Sequence, residues 1–200
     1  GQQSCITGHG IQVPLQQRRH LFFLPTSLGS DVNAVHNDIS RVILVEWACD
    51  EHSLLSAEFE AQGGRAIRLG LHNCDLSDQL QVIAIAQELR EFIDAGFRLF
   101  FWVAFPCHSW CPWHHVTIAD YPETLPNIQH QQRLSRQMVW LLVVVWQMLK
   151  PTGMVDMAYE WPQRCMGWQI GELEELLKDL PFECLLHGCA YGLETTEAQP

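Results

Sequence analysis

Val42-Ile43-Leu44-Val45 decides the fold class, because four consecutive apolar residues, three of them β-branched, are typical of a strand covered on both faces. A helical pattern follows over about 53–62 and stops at Gly63-Gly64, a pair that commonly terminates helices. A second short apolar strand is predicted at 66–71. A strand, a helix and a strand in this order indicate a unit with parallel pairing.

The rest of the chain repeats this alternation. Strands are predicted near 42–47, 66–71, 99–105, 154–159 and 182–187, and helices near 53–62, 78–94, 127–150 and 171–180. Strands that alternate with helices of this length predict an α/β protein, a three-layer Rossmann-like sandwich with a mainly parallel sheet. In the numbering of the full fold the expected strand order is 2-1-4-5-6, with the third strand short or missing.

The composition indicates one globular domain. The chain has 200 residues, of which 48% are hydrophobic and 18% are charged, enough for one substantial core. Residues 1–40 show no sustained period and are predicted to be a loosely ordered arm, in which the apolar stretch Leu21–Leu24 is expected to pack on the domain. Residues 41–193 would form the domain and 194–200 a tail.

Charge and cysteine usage restrict the partners and the compartment. The formal net charge of -11 argues against a protein that grips duplex nucleic acid by itself, since phosphate contacts supply most of that affinity. The eight cysteines are not spaced as a disulfide framework, and no secretory signal is visible, so we expect reduced thiols and an intracellular location, in the nucleus or cytoplasm. The apolar run Met138–Leu149 is too short to span a bilayer and predicts a buried helix, not a membrane contact.

Chemically reactive side chains gather where the predicted strands end. Ligands of parallel sheets bind outside the carboxyl ends of the strands, and those ends fall here at 46–50, 71–75, 106–115, 160–168 and 188–192. Cys107 follows a proline at the end of the third strand, where a thiol is either a nucleophile or a small buried apolar residue. Glu160 ends the fourth strand, either as a working carboxylate or as a solvated one.

These residues also resemble a known family. Pro106-Cys107, then Glu160, then Ala190-Tyr191-Gly192-Leu193 are similar, in this order, to motifs of the DNA cytosine-5 methyltransferases, and the resemblance covers about 41–193. It implies adenosylmethionine as cofactor and nucleic acid as methyl acceptor. It further implies that Cys107 is the nucleophile that attacks C6 of cytosine and that Glu160 holds the base at N3.

The overall sequence looks closer still to methyltransferase-like domains of mobile-element polyproteins. The shared segments are Glu-Trp-Ala-Cys after the first strand, Pro-Cys-x-x-Trp, Glu-Trp-Pro and Gly-Cys-Ala-Tyr-Gly-Leu. This likeness implies that the domain is part of a larger polypeptide.

The family resemblance assigns further site residues. The unit from Val42 to Gly64 would correspond to its cofactor-binding motif. The expected cofactor contacts are Glu46, Cys49, Asp50, His72 and Asp75. The expected substrate contacts are His108, Ser109, Trp110, Trp161 and Tyr191.

Departures from the family pattern favour a second hypothesis. The loop after the first strand lacks glycines, and Gly70-Leu71-His72 offers no acid for the cofactor ribose. The alternative is a catalytically silent methyltransferase fold that serves as a binding or assembly module.

A cluster of thiols and imidazoles raises a third alternative, a zinc-stabilised interaction domain. Its ligands would be Cys107, Cys111, His114 and His115, but this spacing is not that of a standard zinc ribbon, so we do not expect zinc. The tryptophans at 110, 113, 161 and 168 fall at the same strand ends. They would either stack a base or an adenine or close the edge of the core.

Overall fold

The computed structural model describes residues 39–180 and 182–185. The predicted arm up to residue 38, the predicted tail and Tyr191 lie outside the described residues. The described strands are β1 (Val42–Trp47), β2 (Arg65–Leu69), β3 (Arg98–Val103) and β4 (Val155–Tyr159). The described α-helices are α1 (Leu54–Ala61), α2 (Gln79–Asp94), α3 (His114–Asp120), α4 (Leu125–Leu149) and α5 (Gly171–Leu177).

The four strands form one all-parallel sheet in the order β2-β1-β3-β4. This confirms the predicted α/β class and matches the first four strands of the expected order. β1 lies in the interior of the sheet and all six of its residues are buried, as its continuous apolar sequence predicted.

One face of the sheet carries the main hydrophobic core. In the parallel register Ile43, Val45 and Trp47 lie beside Leu99, Phe101 and Val103, so their side chains share one face. All six are buried in a single cluster with residues of α2, α4 and α5. α2, α4 and α5 therefore cover this face.

The opposite face of β1 and β2 is covered by α1. Glu46 lies on this face and is bonded to Ser56 of α1, a residue with no exposed surface. With α1 on one side and the remaining core helices on the other, the sheet is the middle layer of three.

Capping residues fix the ends of the longer helices. Asp78 accepts hydrogen bonds from the backbone N–H groups of Leu80 (2.8 Å) and Gln81 (3.3 Å), so it caps α2. Asp75 and Ser77 are also residues of the type that caps helices, but they bond to each other instead. Gly96, with φ of 90°, follows the end of α2.

Two sequence predictions need correction. Residues 182–185 are not part of a strand, and they are exposed; the rest of the predicted strand 182–187 lies outside the described residues. The segment after β3 shows no helical pattern in the sequence, which predicts a loop, yet it contains a 3-10 turn at His108–Trp110 and the helix α3. Among the described residues no helix is both long and apolar enough to cross a membrane.

Candidate functional site

The connectivity of the sheet singles out one position on its edge. β1 pairs with β2 on one side and with β3 on the other, so the chain changes direction across the sheet between β1 and β3. In open parallel sheets, ligands bind outside the carboxyl ends of the strands at such a switch point. The loop containing Asp50 follows β1 and the loop containing Cys107 follows β3, so the two loops flank this position.

Glu46, a predicted cofactor contact, anchors α1. It is 4% exposed. Its Oε1 accepts a hydrogen bond from Ser53 Oγ (2.7 Å), and its Oε2 accepts from the backbone N–H of Ser56 (3.0 Å) and from the Ser56 hydroxyl. Both oxygens are thus bonded to the first residues of α1, which satisfies donors that a helix start leaves free.

The loop after β1 folds back over the end of β2. The backbone N–H groups of Ala48 (2.8 Å) and Cys49 (3.0 Å) both donate to the carbonyl of Leu69. Ala48 has φ of 68°, a left-handed conformation that usually selects glycine. A Cβ on Gly70 would lie 2.1 Å from the carbonyl oxygen of Cys49, so only glycine fits there. Burial, together with the charge of Glu46, raises the pKa of the Cys49 thiol to about 11.

Asp50, His72 and Asp75 are exposed near the same loops. Asp50 Oδ1 accepts the backbone N–H of His52 (2.9 Å). Asp75 Oδ1 accepts both the backbone N–H (2.9 Å) and the hydroxyl (2.7 Å) of Ser77. Each carboxylate uses its Oδ1 in a local turn, and both residues are exposed. Exposed carboxylates at the ends of β1 and β2 are the type of acceptor that ribose hydroxyls require.

Cys107 lies between a buried strand and a fixed turn. It is partly exposed, and its carbonyl accepts the backbone N–H of Trp110 (3.0 Å). The turn is held by α4, because Gln132 donates to the carbonyl of Ser109 (2.9 Å) and Trp110 Nε1 donates to Ser135 Oγ (2.9 Å).

The predicted substrate contacts in this turn differ in accessibility. Ser109 is 2% exposed and belongs to the contact with α4. Trp110 is half-buried there, while His108 is exposed.

Glu160 is placed by the neighbouring strand. Its backbone N–H donates to the carbonyl of Val103 (2.9 Å), which extends the β3–β4 ladder by one residue. Partial burial raises the pKa of the Glu160 carboxyl, and the charge of Glu46 adds to this, while a hydrogen bond from Trp102 opposes it. A carboxyl whose pKa is raised holds its proton closer to neutral pH than an ordinary glutamate.

Trp161 joins the loops after β3 and β4. Its Nε1 donates to the carbonyl of Phe105 (2.7 Å), and its ring packs edge-on against Tyr159 and Trp168, with centroids 5.3 and 5.8 Å away. A Cβ on Gly167 would lie 2.2 Å from the Trp161 ring. Sequence reasoning assigned Trp161 to substrate and missed this role, because no local pattern shows which carbonyl an indole will bond.

Three thiols lie in this region, but they are not arranged as a metal centre. Cys165 is buried; burial raises the pKa of its thiol, and the nearby Cys107 and Cys111 add to this. His114 Nε2 lies 2.5 Å from the carbonyl oxygen of His108. Within residues 39–180 and 182–185, no three Cys, His, Asp or Glu side chains are placed to hold a metal ion. The alternative zinc ligands Cys107, Cys111, His114 and His115 form no such group among the described residues.

The structure thus brings the loops with Asp50, Cys107 and Glu160 to one edge of the sheet. A surface cavity of about 320 Å³ lies beside the Cys107 turn, lined by Trp110, α4 and residues 166–171. No protein family, curated protein or solved structure matches the chain.

Proposed function

We propose that this chain is a methyltransferase-like domain that transfers a methyl group from adenosylmethionine to C5 of cytosine in nucleic acid. The observation that supports it most is the switch point between β1 and β3. The Asp50 loop and the Cys107 loop flank it, and Glu160 follows on the adjacent strand β4. Cofactor acids and a nucleophile on opposite sides of one switch point suit a reaction between a bound cofactor and a second substrate.

The acids fit the polar half of the cofactor. Asp50 and Asp75, both exposed, would accept hydrogen bonds from its ribose hydroxyls and adenine amine through their carboxylate oxygens. Adenosylmethionine, when bound, supplies an electrophilic methyl group. The bonds of Ala48 and Cys49 to Leu69 fix the start of the Asp50 loop, and the bonds of Asp75 with Ser77 form a separate local turn.

Cys107 and Glu160 would act on the base. Cys107, after losing its thiol proton to solvent, would bond through sulfur to C6, and the electron pair of the C5–C6 double bond would shift to C5. C5 would take the methyl group as the methyl–sulfur bond of the cofactor breaks and adenosylhomocysteine leaves. Transfer of the C5 proton to a solvent base would restore the double bond and release the thiolate. Glu160 holds N3 by a hydrogen bond, and the raised pKa of its carboxyl suits it to donate a proton there. The bond between Trp161 and Phe105 keeps the two loops together.

A matched pair of cysteine variants tests this proposal. With radiolabelled adenosylmethionine and a cytosine-containing oligonucleotide, Cys107→Ser should abolish methyl transfer and covalent trapping on a mechanism-based cytosine analogue. Cys184→Ser changes an exposed thiol and should retain both. Unchanged transfer in Cys107→Ser would exclude Cys107 as nucleophile.

A catalytically silent binding or assembly module of a larger polyprotein is the second candidate. The observation in its favour is that the β1 loop is internally bonded: both oxygens of Glu46 hold α1, and the N–H groups of Ala48 and Cys49 are used by Leu69. Calorimetry with millimolar adenosylmethionine separates the two candidates. Binding heat and a thermal shift support the enzyme, and their absence supports the silent module. Metal analysis of the same sample tests the zinc-stabilised alternative.

A further inference from the structure

Three cysteines in the loops after β3 and β4 form a cluster. We name Cys107, Cys111 and Cys165 the thiol cluster, and all three are free thiols. Cys107 and Cys111 flank the 3-10 turn His108–Trp110, and Cys165 lies in the loop between β4 and α5. Burial is the main cause of the raised pKa of the Cys165 thiol, and Cys107 and then Cys111 add to it. These two thiols therefore lie within electrostatic reach of the third.

The Trp161 side chain holds the two cysteine-bearing loops against each other. Its Nε1 donates to the carbonyl of Phe105 (2.7 Å), and its ring packs so closely on Gly167 that a Cβ there would lie 2.2 Å away. Cys107 comes two residues after Phe105, and Cys165 comes two residues before Gly167. One indole thus contacts both loops within two residues of each thiol. This contact places Cys107 and Cys165 near each other independently of their charges.

The residues next to the thiols also share a surface. Trp110, which precedes Cys111, and Met166, which follows Cys165, line the same cavity of about 320 Å³. The chain at Cys165 is a turn, because its backbone N–H donates to the carbonyl of Pro162 (2.9 Å). Two hydrogen-bonded turns that carry thiols therefore border one cavity.

The thiols of the cluster differ in their access to solvent. Cys107 is partly exposed, so a small oxidant can reach it, whereas Cys165 is 7% exposed. An oxidant attacks the accessible thiol first, and a second thiol close by converts the product into a disulfide. Cys107 is a better partner for the buried thiol than Cys111, because its effect on that thiol is the larger of the two.

We propose that Cys107 and Cys165 are a peroxide-sensitive thiol pair that closes into a disulfide and blocks the candidate site. Hydrogen peroxide oxidises the Cys107 thiol to a sulfenic acid, and one water leaves. The Cys165 sulfur then loses its proton and bonds to the Cys107 sulfur, whose S–O bond breaks; the hydroxyl takes up that proton and leaves as a second water. The two sulfurs together lose two electrons, which reduce the O–O bond of the peroxide.

A disulfide at Cys107 removes the thiol that the proposed function uses. The expected block of methyl transfer therefore rests on the proposed function, whereas the formation of the disulfide does not. Attack by a small thiol on the disulfide reverses the step and restores both cysteines.

The test is peptide mapping by mass spectrometry without reductant, on the full chain treated with hydrogen peroxide or with dithiothreitol. Trypsin cleaves after arginine and lysine, so Cys107 and Cys111 fall in the peptide 99–133 and Cys165 falls in the peptide 165–178. Peroxide should link these two peptides with loss of the mass of two hydrogens. Dithiothreitol should separate them again.

Cysteine variants identify the two partners. Cys107→Ser and Cys165→Ala should each abolish the link, and in Cys165→Ala peroxide should take Cys107 on to a sulfinic acid, because no second thiol traps the sulfenic acid. Cys111→Ser should keep the link. Cys184→Ser changes an exposed thiol outside the cluster and should also keep it. Circular dichroism confirms that each variant is folded.

Four results would overturn the pair: a link that persists in Cys107→Ser, a link that is lost in Cys111→Ser, a sulfinic acid at Cys107 of the wild type without a link, or no oxidation of these thiols. Methyl transfer measured on the same samples separates the two proposals. A link between Cys107 and Cys165 in a chain that transfers no methyl group supports the pair, and the proposed function then fails alone. Methyl transfer by a chain that forms no link overturns the pair alone.

Discussion

Each half of the sheet edge carries a glutamate and a cysteine near the ends of its strands, but the two halves differ in how deeply these residues are buried and how they are hydrogen-bonded. On the β1–β2 half, Glu46 is buried and bonded through both oxygens, and Gly70 packs against the Cys49 carbonyl. On the β3–β4 half, Glu160 retains exposed surface, Cys107 is partly exposed, and Trp113 stands in solvent. In the first half the Glu46 carboxylate and the backbone N–H groups of Ala48 and Cys49 are bonded within the protein, whereas in the second half Glu160 and Cys107 keep exposed surface.

Glu46 and Glu160 both lie near a strand end, but their carboxylates differ in the number of hydrogen bonds that they accept. Three donors from Ser53 and Ser56 bond Glu46, whereas Glu160 has a bond from Trp102 and a raised pKa. Position at a strand end is common to both. The number of donors that a carboxylate already satisfies is what separates a structural anchor from a group available for chemistry.

The largest loss of stability is expected when the Glu46 carboxylate, which anchors α1, is removed. Glu46→Ala leaves the buried hydroxyl and N–H of Ser56 without an acceptor, so it should lower the free energy of unfolding by about 3–5 kcal/mol and the Tm by roughly 10 °C. Thermal denaturation followed by circular dichroism measures this. Glu51→Ala is the control: Glu51 is exposed and pairs only with His52, so its removal should change stability by less than about 0.5 kcal/mol. Equal Tm values for the two variants would contradict the assignment of Glu46 as an anchor.

A smaller effect is expected where the β1 loop contacts β2. Gly70→Ala places a Cβ against the backbone of Cys49, so the loop must shift, at a cost of about 1–3 kcal/mol. Gly171→Ala is the matched control, because a Cβ there meets nothing within 4 Å. Urea denaturation compares the two. If Gly70→Ala were as stable as Gly171→Ala, the loop would be adaptable and the contrast between the two halves would weaken.

The smallest effect on stability is expected from replacing Glu160, on the β3–β4 half of the sheet edge. The pKa of Glu160 is raised in the folded protein, so the folded state binds the proton more tightly than the unfolded state. Its ionisation therefore lowers stability as pH rises from the ordinary glutamate value through the raised one. Glu160→Gln, which stays neutral, should be slightly more stable than the wild type at pH 7, and this difference should shrink as pH falls through that window.

Melting curves of both proteins between pH 4 and 7.5 measure the difference. A glutamine variant that is clearly less stable than the wild type at neutral pH would show that Glu160 is as structural as Glu46.

The sequence predicted the fold class and most of the helices and strands, but little of the internal hydrogen bonding. The apolar run Val42–Val45 and the alternation of elements predicted the α/β class, because these patterns reflect burial with the periods of strands and helices; the expected strand order came from the fold that the sequence resembles. α3 was missed because His114-His115 and Pro112 interrupt any apolar period. The anchoring of Glu46 by Ser56 and the bond from Trp161 to Phe105 were missed because they join residues whose proximity depends on the finished fold. The stacking, cofactor and nucleophile roles stay predictions.

The register of the sheet also has a consequence for how the protein folds. Ile43 pairs with Arg65 across a short helical connection, whereas the β3–β4 partners Leu99 and Val155 are more than twice as far apart in sequence. Loop closure costs more entropy, and contacts form more slowly, as that separation grows. We therefore expect the β1–β2 unit to form first, and the edge that holds Cys107 and Glu160 to assemble after the long connection through α4 has closed. In hydrogen exchange, the backbone amides on the β3–β4 half should therefore exchange before those on the β1–β2 half.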